Sequence, residues 1–206
     1  MHLELLVEEE SAKVALDNIL PQILGPDVTF KFHVYQGKQD LLGKLPNRLQ
    51  GYSRWLLPDW RIVVLLDEDR QDCDDLKQRM EDLARNTGLR TKSQANAAGR
   101  VQVLNRIAIE ELEAWFFGDV EALHRAYPRV PPTIGNRARY RDPDAIIGGT
   151  WENLERVLQQ FGYHRGGLGK ITAAREISQY MVPARNTSRS FQVFRDGILL
   201  LAEDDA

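Results

Sequence analysis

Arg61-Ile62-Val63-Val64-Leu65-Leu66-Asp67-Glu68-Asp69 reads as a strand with no polar face that ends abruptly in acid. Five apolar residues in a row, three of them β-branched, are the pattern of a strand buried on both sides, as in the centre of a parallel sheet. Ligands of open parallel sheets bind outside the carboxyl ends of the strands. The run therefore predicts a fold class and also places Asp67 and Asp69 where chemistry is expected.

Upstream, Leu3 to Val7 is a second short apolar run, broken only by Glu4 and followed by Glu8, Glu9 and Glu10. Val14, Leu16, Ile19 and Leu20 then recur at helical spacing as far as Leu24, with Pro21 expected to end or kink that helix. Val28, Phe30, Phe32 and Val34 alternate along Val28 to Tyr35, as in a half-buried strand. Gln36 to Asp59 mixes glycines, prolines and basic residues and reads as an irregular insertion containing a helix.

Downstream, Asp72 to Asn86 predicts a helix with Leu76, Met80 and Leu83 inward and Asp72 as its N-cap. Val101 to Ile109 is a further strand, with a break expected near Asn105. Glu110 to Tyr127 looks helical, in two pieces divided near Gly118-Asp119. The reading is an α/β domain over residues 1–127, a mostly parallel sheet flanked by helices. Residues 128–206 form a C-terminal elaboration packed on it: a Pro-, Gly- and Arg-rich loop to Gly149, then helices over 151–161, 169–181 and 188–202.

The 206 residues carry 43% hydrophobic and 28% charged side chains, enough to build a full core. Lys and Arg number 27 against 30 Asp and Glu, a net charge of −3, so a nucleic-acid partner would need a local basic surface or neutralising metal ions. The single cysteine, Cys73, excludes an internal disulfide and a Cys-based zinc site, and fits a reducing compartment. No signal-peptide pattern and no bilayer-length apolar run is present, so a cytoplasmic protein with no membrane association is expected.

Strand-end acids are suited to one kind of ligand. Magnesium takes hard oxygen donors, commonly one or two carboxylates with waters and substrate phosphate completing the shell. Glu8, Asp67 and Asp69 supply them. Acids here also suit helix starts, and Asp72, Asp74 and Asp75 are explained that way. Three other uses of Asp-x-Asp fail. A calcium EF-hand loop counted from Asp67 would need Gly where Asp72 stands and Glu where Gln78 stands. A haloacid-dehalogenase phosphatase carries the motif after its first strand with a Thr soon after, and a receiver domain has the order of acids reversed.

Glu after the first strand and Asp-x-Asp after a later one is the Toprim arrangement. More narrowly, the chain resembles a bacterial Toprim-like domain-of-unknown-function family (number 4276) related to the nuclease half of the OLD (overcoming lysogenization defect) proteins. Leu6-Val7-Glu8, Val64 to Arg70 and Glu110-Glu111-Leu112-Glu113-Ala114-Trp115-Phe116 carry the resemblance, over roughly the first 120 residues. It implies a nuclease-like site dependent on Mg2+ (or Mn2+), with an ATPase protein partner in genome defence. Glu8 matches the family's first-strand acid, and Asp67 and Asp69 its metal-binding pair; Glu113 is implied to reach or buttress the cluster. The sequence departs at Glu9, where the family usually has Gly, and at Ala12, where OLD nucleases place an acid for a second metal.

Arg125, Arg129, Arg137, Arg139 and Arg141, interleaved with Tyr127 and Tyr140, suit phosphate contact and base stacking. They equally suit a solvated loop pairing with the chain's own acids. Arg70, Arg125, Arg137, Arg139 and Arg141 are the candidate nucleic-acid contacts. His164 to Lys170 is glycine-rich, basic and opens a helix, and Lys170 is a candidate to offset phosphate charge. It lacks P-loop spacing. His33 reads as a packed or surface histidine. Two functions remain open: metal-assisted cleavage of DNA or RNA, or a catalytically degenerate Toprim-fold binding or regulatory subunit. Homo-oligomerisation stays open with either.

Overall fold

The computed structural model describes residues 1–69, 71–94 and 100–203. Their four strands form one all-parallel sheet in the order β2-β1-β3-β4: β1 is His2–Val7, β2 Thr29–Val34, β3 Trp60–Asp67 and β4 Val103–Ala108. β3 is central, as its apolar run requires, with Leu6 opposite Val64 on β1 and Val64 opposite Asn105 on β4. The alternation of a pleated strand divides its side chains between two cores. Val63 and Leu65 join Leu3, Leu5, Val7 and Leu104 on one face; Ile62, Val64 and Leu66 join Leu6, Val103 and Ile107 on the other.

The second face is covered by α2 (Lys38–Trp55) and α3 (Cys73–Arg85), through Leu41, Leu45, Leu49, Leu76 and Met80 among others. Gln36 to Asp59 is thus not an irregular insertion: an 18-residue helix fills most of it. Leu41, Leu42, Leu45, Leu49 and Tyr52 recur on one stripe of that helix, and their burial outweighs Gly43, Pro46 and Gly51. Likewise α1 (Glu10–Leu24) runs on through Pro21 for another turn, where Gly25 N–H closes onto the Pro21 carbonyl. Asp72 caps α3 as expected, its Oδ1 accepting from the N–H groups of Asp74 and Asp75.

β4 is unbroken at Asn105, which is fully buried. The reason lies on α3. Glu81, 5% exposed, accepts from Asn105 Nδ2 at 2.9 Å, Ser93 Oγ at 2.6 Å and Lys77 Nζ at 2.5 Å. Burial alone would raise the Glu81 carboxyl, but bonds from Lys77, Ser93, Thr91 and Asn105 overcome it and bring the pKa to about 2. A depressed folded pKa means stability that is complete above the unfolded value near 4.5 and lost as pH falls toward 2. Acid titration of the wild type is expected to lose about 3 kcal/mol through this group. Glu81→Gln should flatten urea midpoints over that window; an unchanged slope would refute the assignment.

The other face is covered by α1 and by the second half of the chain: α4 (Glu113–Gly118), α5 (Val120–Ala126), α6 (Thr150–Gln160), α7 (Lys170–Ser178) and α8 (Arg189–Glu203). α7 packs along α1, and α8 against β4 and α1. One apolar core runs from Leu5 and Leu16 to Ile177, Phe191 and Phe194. Buried Asp119 ties the halves together, accepting from Arg185 Nε at 2.7 Å and from the Val182 N–H at 2.9 Å. No helix among the described residues is long and apolar enough to cross a membrane.

Candidate active site

All four strands point the same way, so their carboxyl ends share one edge of the sheet. Beyond the last ladder pair, Asp67 opposite Ala108, two further bonds carry the chains outward: Glu68 N–H to the Ala108 carbonyl and Asp69 N–H to the Glu110 carbonyl, each 2.9 Å. Asp69 and Glu110 both take left-handed backbone, φ +50° and +58°. Such conformations in non-glycine residues cost of order 1–3 kcal/mol and persist where surroundings enforce them. Here the Glu68 carboxylate does so, accepting the Glu110 N–H at 3.0 Å. Glu68 is therefore a scaffold acid within the motif.

Glu8 directly follows β1 and turns toward β3, where its Oε2 accepts the Asp67 N–H at 3.3 Å. Half-buried, it is raised above the usual carboxylate range by desolvation and next by the Asp69 charge. Asp67, the last residue of β3, is pushed well above that range by desolvation, then by the charges of Glu113 and Glu8. Glu113 opens α4 and is 1% exposed, with no hydrogen-bond partner for Oε2. Burial raises its pKa to about 7, against a lowering by Lys170.

Lys170 opens α7 and brings a cation to this group from the second half of the chain. Its Nζ lies 3.9 Å from an oxygen of Glu113 and 3.9 Å from one of Glu9, and 5.5 Å from the centre of the Trp151 ring. Burial opposes its charge, but the surrounding carboxylates prevail and hold the pKa above the ordinary lysine value. Asp69 is close by but exposed, and its carboxylate is engaged by Lys38 Nζ at 2.9 Å. Lys38 itself is 6% exposed and also donates to the Glu68 carbonyl at 2.8 Å. Nothing in the sequence singled out Lys38; a lysine in a helix's first turn runs against the helix dipole, which is the one signal it carried.

The structure thus gathers Glu8, Asp67, Glu113 and Lys170, with Asp69 beside them held by Lys38. Glu111, next to Glu113, has a positioning role: its Oε2 accepts from Thr150 N–H, Thr150 Oγ1 and Trp151 N–H, each at 2.9 Å, and so caps α6 from outside. Glu9 takes ordinary extended backbone at the N-cap of α1 and accepts from Ser11 Oγ, so no glycine is needed there. Ala12 is buried.

Arg70 falls outside the described residues. Arg125 sits over the Tyr180 ring at 4.8 Å; Arg139 and Arg141 reach the carbonyls of Ile147 and Asn136, and Arg137 is exposed. Tyr127 and Tyr140 are both buried, Tyr140 stacked on Phe117, so neither ring offers a face to a base. The sequence missed this because apolar residues at loop positions carry no periodicity.

The donors at the strand ends are all carboxylate oxygens, the chemistry of a hard divalent ion rather than of zinc or copper. The partnerless Oε2 of Glu113 and the mutual repulsion of its neighbours fit a cation. Among the described residues no three His, Cys, Asp or Glu side chains are grouped so that they could together hold a metal ion.

The fold and site define an α/β protein with a parallel sheet and a lysine-flanked acidic centre at its carboxyl edge. The chain belongs to the family described as Domain of unknown function (DUF4276), which it matches over residues 7–199. It is similar along its length to a solved structure described as the C-terminal region of the Xanthomonas campestris pv. campestris OLD protein. The two share 14% identity over 98% of this chain and 96% of that one, with a TM-score of 0.47. No curated protein matches the chain.

Proposed function

We propose that the chain cleaves phosphodiesters of nucleic acid with the help of Mg2+ or Mn2+. The observation that carries this is the convergence of Glu8, Asp67 and Glu113, from three separate elements, with Lys170 beside them. Glu8, Asp67 and Asp69 would hold the ion, Asp69 standing paired with Lys38 in this structure. A bound divalent ion supplies positive charge to the phosphate and lowers the pKa of an attacking water. Glu113, with a pKa near 7, can hold or give up a proton at neutral pH, the requirement for a general acid or base. Lys170 and Lys38 offset phosphate charge on either side of the acids.

One observation favours the second reading, a catalytically degenerate binding subunit working with an ATPase partner. The carboxylate of Asp69 is committed to Lys38, which leaves fewer free donors. Calorimetry with magnesium and manganese separates the two readings. Saturable binding by the wild type, lost in Asp67→Ala with Asp69→Ala, is the expected result. Titrations of the wild type that stay flat would sink the enzymatic reading.

A further inference from the structure

Glu4 is a carboxylate in the middle of a buried strand, 3% exposed, and the acidic centre makes no use of it. Its Oε2 accepts from Tyr52 Oη at 2.6 Å and from His33 Nε2. On the far side of the imidazole, His33 Nδ1 accepts from Arg48 Nη2 at 2.9 Å. The order of donors follows: Arg48 gives to Nδ1, so the proton on Nε2 faces Glu4. A chain of hydrogen bonds thus runs from a buried carboxylate through the imidazole to one exposed guanidinium and fixes it in place, and Arg48 also lies 5.8 Å from the Tyr52 ring centre.

Arg48 stands in a cleft of about 400 Å³ along the outer side of α2, lined also by Tyr35, Lys44, Asn47, Tyr52 and Trp55. Lys44, Asn47, Arg48 and Trp55 lie on one stripe of the helix by spacing. Lys44 pairs with Asp40 and sits 5.9 Å from the Tyr35 ring centre. Trp55 is 52% exposed and begins an aromatic ladder: Tyr52 to Trp55 is 5.1 Å, Trp55 to Trp60 5.7 Å and Trp60 to His2 4.2 Å. In a chain of net charge −3, α2 exposes Lys44, Arg48 and Arg54 against the single acid Asp40. It is a local basic surface of the kind a polyanion needs here.

One end of the cleft is tied by backbone bonds to the strand that leads into Glu8. Tyr35 N–H bonds the Val7 carbonyl, Gly37 N–H bonds the Glu8 carbonyl, and Lys38 in the same helix holds Asp69. From the geometry we infer that the α2 cleft binds single-stranded nucleic acid, with Arg48 and Lys44 on the phosphates and Trp55 and Tyr35 stacked on unpaired bases. Cations alternating with exposed ring faces suit a strand of phosphates and bases, whereas an acidic polypeptide would have no use for the rings. The inference rests on the proposed function, in that the strand bound along α2 is the one presented to Glu8 and Asp67.

The test is fluorescence anisotropy of a fluorescein-labelled single-stranded oligonucleotide with the whole chain in EDTA, so that binding is read without cleavage. Lys44→Ala with Arg48→Ala is expected to weaken binding at least tenfold and to lower the salt slope by about 1.4, at about 0.7 per phosphate contact on a single strand. Trp55→Ala is expected to cost roughly 5- to 150-fold and to abolish quenching of tryptophan emission by the oligonucleotide. His33→Gln keeps every charge of the cleft but releases Arg48, so affinity falls while the salt slope stays as in the wild type. Equal affinity and slope for wild type and the variants, each shown folded by circular dichroism, would overturn the inference. So would binding of polyglutamate with no binding of the oligonucleotide, which would assign the cleft to an acidic protein. Cleavage of the same oligonucleotide in magnesium, scored separately, tests the catalytic reading alone.

Discussion

Glu113→Gln is expected to raise the melting temperature at pH 8 in EDTA and to leave it nearly unchanged at pH 5. Glu113 titrates near 7 in the folded chain against 4.5 for the free side chain, so the folded state holds the proton more tightly. Between those values the native state binds more protons than the unfolded one, and stability falls as pH rises. The difference corresponds to about 3 kcal/mol of strain above pH 7. The amide removes it, and a gain of about 2–3 kcal/mol corresponds to roughly 4–12 °C for a chain of this size. Magnesium should raise the melting temperature of the wild type at pH 8 and do so less in the variant, since an ion held by this group relieves the same repulsion. A variant less stable than wild type at pH 8 would show that Glu113 is held as a paired anion instead.

The second large effect is expected at Trp115. It is fully buried two residues after Glu113, packed edge-on against Phe191 at 5.2 Å and against Phe194 at 5.0 Å, and its indole N–H donates to Ser190 Oγ at 2.9 Å. The Trp115 carbonyl accepts from Asn186 Nδ2 at 2.8 Å. Trp115→Ala leaves a large cavity between α4 and α8, at a cost of about 3–5 kcal/mol. In a thermal scan this is roughly 6–20 °C. Trp115→Phe keeps most of the volume and should lose less than half as much. Because α4 carries Glu113, calorimetry on Trp115→Ala should also show weakened magnesium affinity. Full affinity at reduced stability would mean that the strand-end bonds alone fix Glu113.

The parts of the fold legible in the sequence were those where one physical demand dominates. Ile62 to Leu66 admits only burial on both faces, and acids following it can only emerge at the sheet's carboxyl edge. Asp72 before an amphipathic stretch announced a cap. What stayed hidden were compensations between distant residues. Asn105 looked like a break because its partners, Glu81 and Lys77, belong to another element. Gln36 to Asp59 looked irregular because glycine and proline were weighed before the stripe from Leu41 to Tyr52. At the site, Glu8, Asp67 and Glu113 could be proposed from strand ends and the motif around Trp115. Lys38 holding Asp69, and Glu111 capping α6, could not: each is a partnership across more than thirty positions. In the arginine run the burial of Tyr127 and Tyr140 was hidden, because alternation of Arg and Tyr does not say which of them the core takes.

The contact of Lys170 with Glu9 and Glu113 joins residues far apart along the chain, through the packing of α7 on α1. During synthesis the acids of β1, β3 and α4 emerge long before the cation that sits against them. A chain halted anywhere before α7 has strand ends and carboxylates but no flanking lysine, and its α1 has an uncovered apolar side. Whatever the acidic edge does, it is assembled only when translation has passed α7, and a nascent product that stops before it carries an incomplete and unbalanced site.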